Sequence, residues 1–219
     1  KSPFNNLDTL STNDWWNRLD NPIVDLKVDR DDVIAFGIYT VSNKILKLTA
    51  QLFPLYPNES REVILEIFSD NEWKEVDKKN VNEIGWATTF RVENWDDSKD
   101  IKYKLRHGDN AYFEGLVRKN PNEKNMITMA AFSCNSNKDR GDRENYINNI
   151  KHIDPDILFF AGDQSYDHKE HTAAWLKFGM QFREIFRDRP CITIPDDHDI
   201  GQGNLWGENG KIASSPAGN

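Results

Sequence analysis

The stretch Asp156-Ile157-Leu158-Phe159-Phe160-Ala161-Gly162-Asp163-Gln164-Ser165-Tyr166 decides how the second half of the chain is read. Its apolar run shows no alternation, which is the signature of a parallel strand covered on both faces, and it stops abruptly at Gly162-Asp163. The same grammar recurs on either side. Upstream, Met126-Ile127-Thr128-Met129-Ala130-Ala131-Phe132 runs into Ser133-Cys134-Asn135. Downstream, Cys191-Ile192-Thr193-Ile194 runs into Asp196-Asp197-His198-Asp199. Residues 142–153 and 172–186 carry helical spacing, the second ending before Pro190. The order is therefore β–α–β–α–β, and ligands of such sheets bind at the carboxyl ends of the strands. All three polar clusters lie at such ends, so the fold should bring them together.

Working outward, the region before this unit has a different period. Residues 33–41, 44–52, 62–68, 86–92, 102–106 and 112–117 are short runs rich in β-branched and aromatic residues, separated by turn residues. Strands at this spacing predict a small antiparallel β-sandwich of the immunoglobulin or fibronectin type III kind. The polar segment Lys119-Asn120-Pro121-Asn122-Glu123-Lys124-Asn125 marks the boundary. The expected organisation is a leader over residues 1–22, packed by Trp15 and Trp16, a sandwich over 23–120, and an α/β unit over 121–219.

Composition bounds the function classes. The 219 residues carry 28 Lys+Arg against 36 Asp+Glu, a net charge of −8, with 7 Trp and 12 Phe. This is enough chain and enough aromatic surface for a real core. The acidic balance argues against nucleic acid as the main partner, because backbone phosphates require clustered cations. No apolar run approaches the roughly 18 residues of a membrane span. Cys134 and Cys191 are the only cysteines, without the CxxC spacing of a zinc or redox motif, and one bridge between them is left open.

Each cluster has a bland reading beside the chemical one. Cys134 alone reads as a small buried hydrophobe, and Gly162-Asp163 alone as a turn. Three carboxylates in four residues at 196–199 repel one another unless solvent or a cation compensates. Arg140 and Arg143 follow the first cluster and suit a phosphate clamp or a solvated helix start. His168 and His171 read as surface residues. The glycine-rich residues 201–207 suit a loop bordering a substrate pocket, with Trp206 as a wall and Asn204 as a polar contact, or an ordinary connection.

Taken in order, Phe132-Ser133-Cys134-Asn135, Gly162-Asp163-Gln164-Ser165-Tyr166 and Asp196-Asp197-His198-Asp199 resemble the motifs of the PhoD-type alkaline phosphatases, a branch of the calcineurin-like metallophosphoesterases. Asp199 stands where that branch more commonly has Glu. The resemblance implies an N-terminal sandwich followed by a four-layer α/β/β/α domain, of which this chain holds the first βαβαβ part, truncated. It implies Cys134, Asp163 and Tyr166 as ligands of ferric iron. Asp163 would bridge to a second metal, calcium, held by Asp197 and supported or bound by Asp196. His198 would protonate the leaving oxygen or stabilise the phosphoryl group, with Asn135, Arg140 and Asn204 as weaker substrate contacts. It also implies a periplasmic or secreted location.

The chemistry expected is hydrolysis of a phosphate ester by metal-activated hydroxide, in which cations neutralise the substrate's charge. That explains how an acidic protein handles an anionic substrate. The family carries further ligand motifs downstream, and the residues after Asp199 hold no His, so the chain reads as the front part of a longer enzyme. The competing reading is a non-catalytic binding protein whose sandwich recognises a ligand and whose strand ends hold a structural cation.

Overall fold

The structure, a computed structural model, describes residue 21 and residues 23–136, 143–166 and 171–200. The leader (except Asn21), Arg140, His168, Asn204, Trp206 and the glycine-rich 201–207 segment lie outside them.

Seven strands form two antiparallel sheets. One has the order β1 (Ile34–Ser42), β2 (Ile45–Leu52), β5 (Ala87–Val92); the other has β4 (Glu72–Asn80), β3 (Glu62–Ser69), β6 (Ile101–His107), β7 (Ala111–Val117). Two hairpins are set by two-residue loops in which both residues have positive φ, Asn43-Lys44 and Asp70-Asn71. Such loops carry the twist of the flanking strands. The sheets face each other through Tyr39 and Tyr103, whose rings meet edge to face at 6.2 Å. Gly37 leaves room for the opposite sheet, since a Cβ there would lie 3.1 Å from Leu105.

Strand β4 has no counterpart in the sequence reading. Its Glu72-Trp73-Lys74-Glu75-Val76-Asp77-Lys78-Lys79-Asn80 is charged at most positions because it is the edge of its sheet. Charge on an edge strand discourages pairing with another chain, and that same charge hides it from a hydrophobicity pattern.

The remaining strands, β8 (Met129–Phe132), β9 (Ile157–Ala161) and β10 (Cys191–Ile194), are parallel in the order β10-β9-β8. The connections carry helices α1 (Arg143–Ile153) and α2 (His171–Phe186), each within a residue of its expected bounds. In α2 the apolar residues Ala174, Phe178, Phe182 and Phe186 recur every fourth position and are buried, giving one continuous face. Phe160 of β9 sits against Phe178, Phe182 and Phe186.

The expectation of burial on both faces is corrected here. Only the face carrying Leu158, Phe160 and Cys191 is buried, whereas Met129, Ile192 and Ile194 on the other are 56%, 40% and 45% exposed. Met126 and Ile127 are exposed and precede the strand. An apolar run shows that a strand belongs in a core, but not which layer of that core lies within a given stretch of chain.

The two parts share one apolar cluster. Helix α2 lies on β1, where Phe36 packs against Trp175 and Phe186 at 6.1 and 6.0 Å. Gly179 makes this approach possible: a Cβ there would fall 1.8 Å from Phe36 Cε1. Below it, the Leu116 N–H donates to the Arg187 carbonyl at 2.8 Å, and the Trp175 indole N–H donates to Gln51 Oε1 at 3.2 Å. Phe36 is 1% exposed and wedged between two aromatic rings, so it has nowhere to go. Gly179→Ala is therefore expected to lower stability by about 1–3 kcal/mol through overpacking, despite the ~1 kcal/mol helix preference of Ala. Urea unfolding followed by tryptophan fluorescence checks this, and an unchanged or raised midpoint would show that Phe36 yields.

Candidate metal centre

The parallel register puts the three clusters side by side at one sheet end. The turn after β8 is tied to the turn after β9 by two backbone bonds, Cys134 N–H to the Gly162 carbonyl (3.3 Å) and Asn135 N–H to the Asp163 carbonyl (2.8 Å). Both Cys134 and Asp163 adopt left-handed backbone, with φ of 59° and 55°. Non-glycine residues held there cost stability and cluster at functional sites. Gly162, at φ 91°, lets the third cluster come close: a Cβ on it would lie 2.4 Å from Asp196 Cβ.

Asp163 is the hub. Its Oδ2 accepts the Tyr166 hydroxyl at 3.0 Å and lies 3.7 Å from the Cys134 sulfur. Its Oδ1 is buried and is the only carboxylate oxygen among the described residues to be so without a hydrogen-bond partner. Ligand atoms of Asp163, Asp197 and His198 all lie within 4.8 Å of one another. The His198 ring packs on the Tyr166 ring at 4.3 Å between centroids. Burial and hydrogen bonds to Cys134 and Asp163 push the Tyr166 phenol above its ordinary range.

This donor set fits a cation. A carboxylate oxygen buried without a partner is costly; the Asp197 carboxylate and the His198 imidazole lie beside Asp163, and the Cys134 thiol and Tyr166 phenol approach its other oxygen. Cys134, Asp163, Tyr166, Asp197 and His198 are thus brought together as the sequence expected. Asp196 stands apart: it is exposed, and its Oδ1 accepts the Asp197 N–H at 2.8 Å. Asn135, read as a substrate contact, also braces the strand ends. Its Nδ2 donates to the Gln164 carbonyl and to Gln181 Oε1, and its Oδ1 accepts from Arg143 Nε.

Two supporting residues escaped the sequence reading. Asp199, within the short helix α3 (Asp197–Ile200), ties that helix to the second cluster by accepting the Ser165 and Asp196 N–H groups at 3.2 and 3.0 Å. Burial pushes its carboxyl up from the ordinary value. Gln164 is 4% exposed and donates to the Ile194 carbonyl at 2.9 Å, joining β9 to β10. Neither residue type announces such a role; only the carboxylate surplus at 196–199 hinted at one. Cys134 and Cys191 are both free, Cys134 exposed and Cys191 buried.

Two cavities adjoin the centre. One of about 270 Å³ is lined by Cys134, Asn135, Arg143, Gly162 and aromatic side chains. The other, about 450 Å³, lies at the junction with the sandwich, between Gln51, Trp175, Ile194 and Asp199, and includes His171 in its wall.

No family model and no curated protein matches the chain. Among solved structures, one described as the structure of PhoD superposes with a TM-score of 0.63 at 14% identity, covering 87% of this chain and 44% of that one. A purple acid phosphatase from yellow lupin (Lupinus luteus) seeds gives 0.60 at 15%, covering 84% and 38%. The chain therefore shares its fold with these two structures, and it spans less than half the length of either.

Gly162→Ala is expected to strain the turn by roughly 1–2 kcal/mol from the left-handed backbone alone and to displace Asp196. Bound metal per chain, read by mass spectrometry of the purified protein, should fall; unchanged metal content with unchanged stability would mean the turn tolerates a side chain. Thiol titration of the metal-free protein with Ellman's reagent should find one fast group, Cys134, and a second, Cys191, that reacts only in denaturant. Two fast thiols would contradict the burial of Cys191.

Proposed function

We propose that the protein is a metal-dependent phosphoric ester hydrolase of the PhoD kind, acting on a phosphate monoester or diester. The observation that carries this reading is the buried, unpartnered Asp163 oxygen beside Asp197 and His198; the likeness of fold supports it. Cys134, Asp163 and Tyr166 would hold one metal, for which anionic sulfur and phenolate donors favour ferric iron. Asp163 and Asp197 would hold a second, for which oxygen donors favour calcium. When bound, the metals supply neutralisation of the phosphoryl charge and acidification of a coordinated water.

The chain's own residues do the rest. Asp163 fixes the spacing of the donors, because Tyr166 and Cys134 both approach its Oδ2 while Oδ1 stays open. His198, oriented by the Tyr166 ring, gives a proton to the departing alcohol oxygen. Asp199 keeps His198 in place by clamping its short helix to Ser165. The reading includes a secreted or periplasmic location; among the described residues no helix is long and apolar enough to cross a membrane.

In the full-length protein, Asp163→Asn is expected to reduce metal content and hydrolysis of p-nitrophenyl phosphate and bis-p-nitrophenyl phosphate together. His198→Ala should instead keep most of the metal and lower turnover by about 10²–10⁴-fold, the usual contribution of a positioned acid or base. Loss of metal from His198→Ala would make it a ligand rather than the proton donor. A metal-loaded protein that cleaves neither ester would favour the binding-protein reading and end this one.

A further inference from the structure

The cavity of about 270 Å³ beside Cys134 has a property that the metal centre does not explain: its wall holds an arginine, Arg143, that has no ion pair among the described residues. Nine arginines are described. Seven of them, Arg30, Arg61, Arg91, Arg106, Arg118, Arg187 and Arg189, make an ion pair with a carboxylate. Arg183 makes none among the described residues and lies over the Phe113 ring instead. Arg143 likewise makes none, and the acceptors of its guanidinium are neutral, Asn135 Oδ1 at 3.2 Å and the Ser136 carbonyl at 3.1 Å. In a chain with eight more acidic than basic side chains, a cation left on neutral acceptors is the exception.

It is also held in place beforehand. Asn135 is fixed from behind by Gln181 Oε1 at 3.0 Å and the Gln164 carbonyl at 3.2 Å, so the acceptor that holds the guanidinium is itself anchored to α2 and to the second cluster. Arg143 is the first residue of α1, whose amino end adds its own partial positive charge. A preordered guanidinium offers paired donors matched to a carboxylate or phosphate. The other walls are aromatic: Phe132, Phe182 and Tyr146, the last 41% exposed. The volume is just under the roughly 300–1,000 Å³ of cavities that take drug-sized ligands, which suits one ring or a short chain. Cys134 and Gly162 belong both to this cavity and to the metal centre, so the two are contiguous.

We propose that this cavity receives the alcohol portion of the substrate and that Arg143 selects alcohols bearing a second anionic group, a carboxylate or another phosphate. The proposal rests on the phosphoesterase reading for the position of the reacting ester, and on Arg143 and the cavity for the rest.

The test compares phenyl phosphate with 4-carboxyphenyl phosphate on the metal-loaded, full-length protein, by calorimetric binding in the presence of excess metal and separately by release of inorganic phosphate. The expected result is about tenfold or more tighter binding of the carboxylated ester, a ratio that collapses to about one in Arg143→Gln and is partly retained in Arg143→Lys. Circular dichroism controls for folding, and the lysine variant keeps the charge if glutamine disturbs the turn. No preference in the wild type, or the same preference in Arg143→Gln, overturns the anion pocket even if both esters are hydrolysed. A preference that tracks Arg143 without hydrolysis of either ester upholds the pocket and overturns the phosphoesterase reading. Binding of neither ester overturns both.

Discussion

A carboxylate oxygen buried without a partner is the constraint around which the strand ends are organised. Taking an ion out of water costs several kcal/mol unless something pairs with it, and Asp163 Oδ1 has no such partner among the described residues. The backbone adds to the cost, since Cys134 and Asp163 sit in left-handed conformation in the turns that follow neighbouring strands. A sequence selected for stability alone would place Asn or Gly at these two positions. That Cys and Asp stand there instead, with Tyr166 and His198 packed over them, is the local conflict between stability and chemistry that marks a site.

The conflict is held in check by polar scaffolding. Asn135, Gln164, Gln181 and the buried Asp199 spend their hydrogen-bonding capacity on one another and on strand-end backbone groups. Each bond is worth on the order of 1 kcal/mol net, but each is expensive to leave unmade. Such a network specifies one arrangement of three loops more sharply than apolar contact would. The donors therefore stay converged before any ion arrives, and binding need not order the loops.

The sequence told more about the site than about the sheets. Strand ends are legible because apolar runs stop at polar clusters, so Cys134, Asp163, Tyr166, Asp197 and His198 could be placed together from spacing and family resemblance. Charged β4 was invisible because an edge strand is selected against looking like a strand. The open face of β8 and β10 was misread because hydrophobicity reports eventual cover and not its source. The bracing roles of Asn135 and Gln164 went unread because an amide has the same letter whether it binds substrate or backbone. Their roles depend on which carbonyl lies within reach, and that is a property of the folded register.

The packing of α2 bears on the choice between an enzyme and a binding module with a separate recognition sandwich. Phe36 of β1 presses on Gly179, and Gln51 of β2 receives the Trp175 indole, so two strands of the sandwich fix the height and rotation of the helix. Two residues past Gly179, Gln181 reaches the opposite way and holds Asn135, which in turn holds Arg143. The chain of contact from sandwich to strand ends is thus unbroken and short. Side chains in such a close-packed path transmit displacement rather than absorb it. A sandwich serving only as a detachable recognition unit would have no need of a glycine cut into the helix beneath it, nor of a buried glutamine whose Oε1 receives that helix's indole. Its placement makes it part of the framework that keeps the strand-end loops in register.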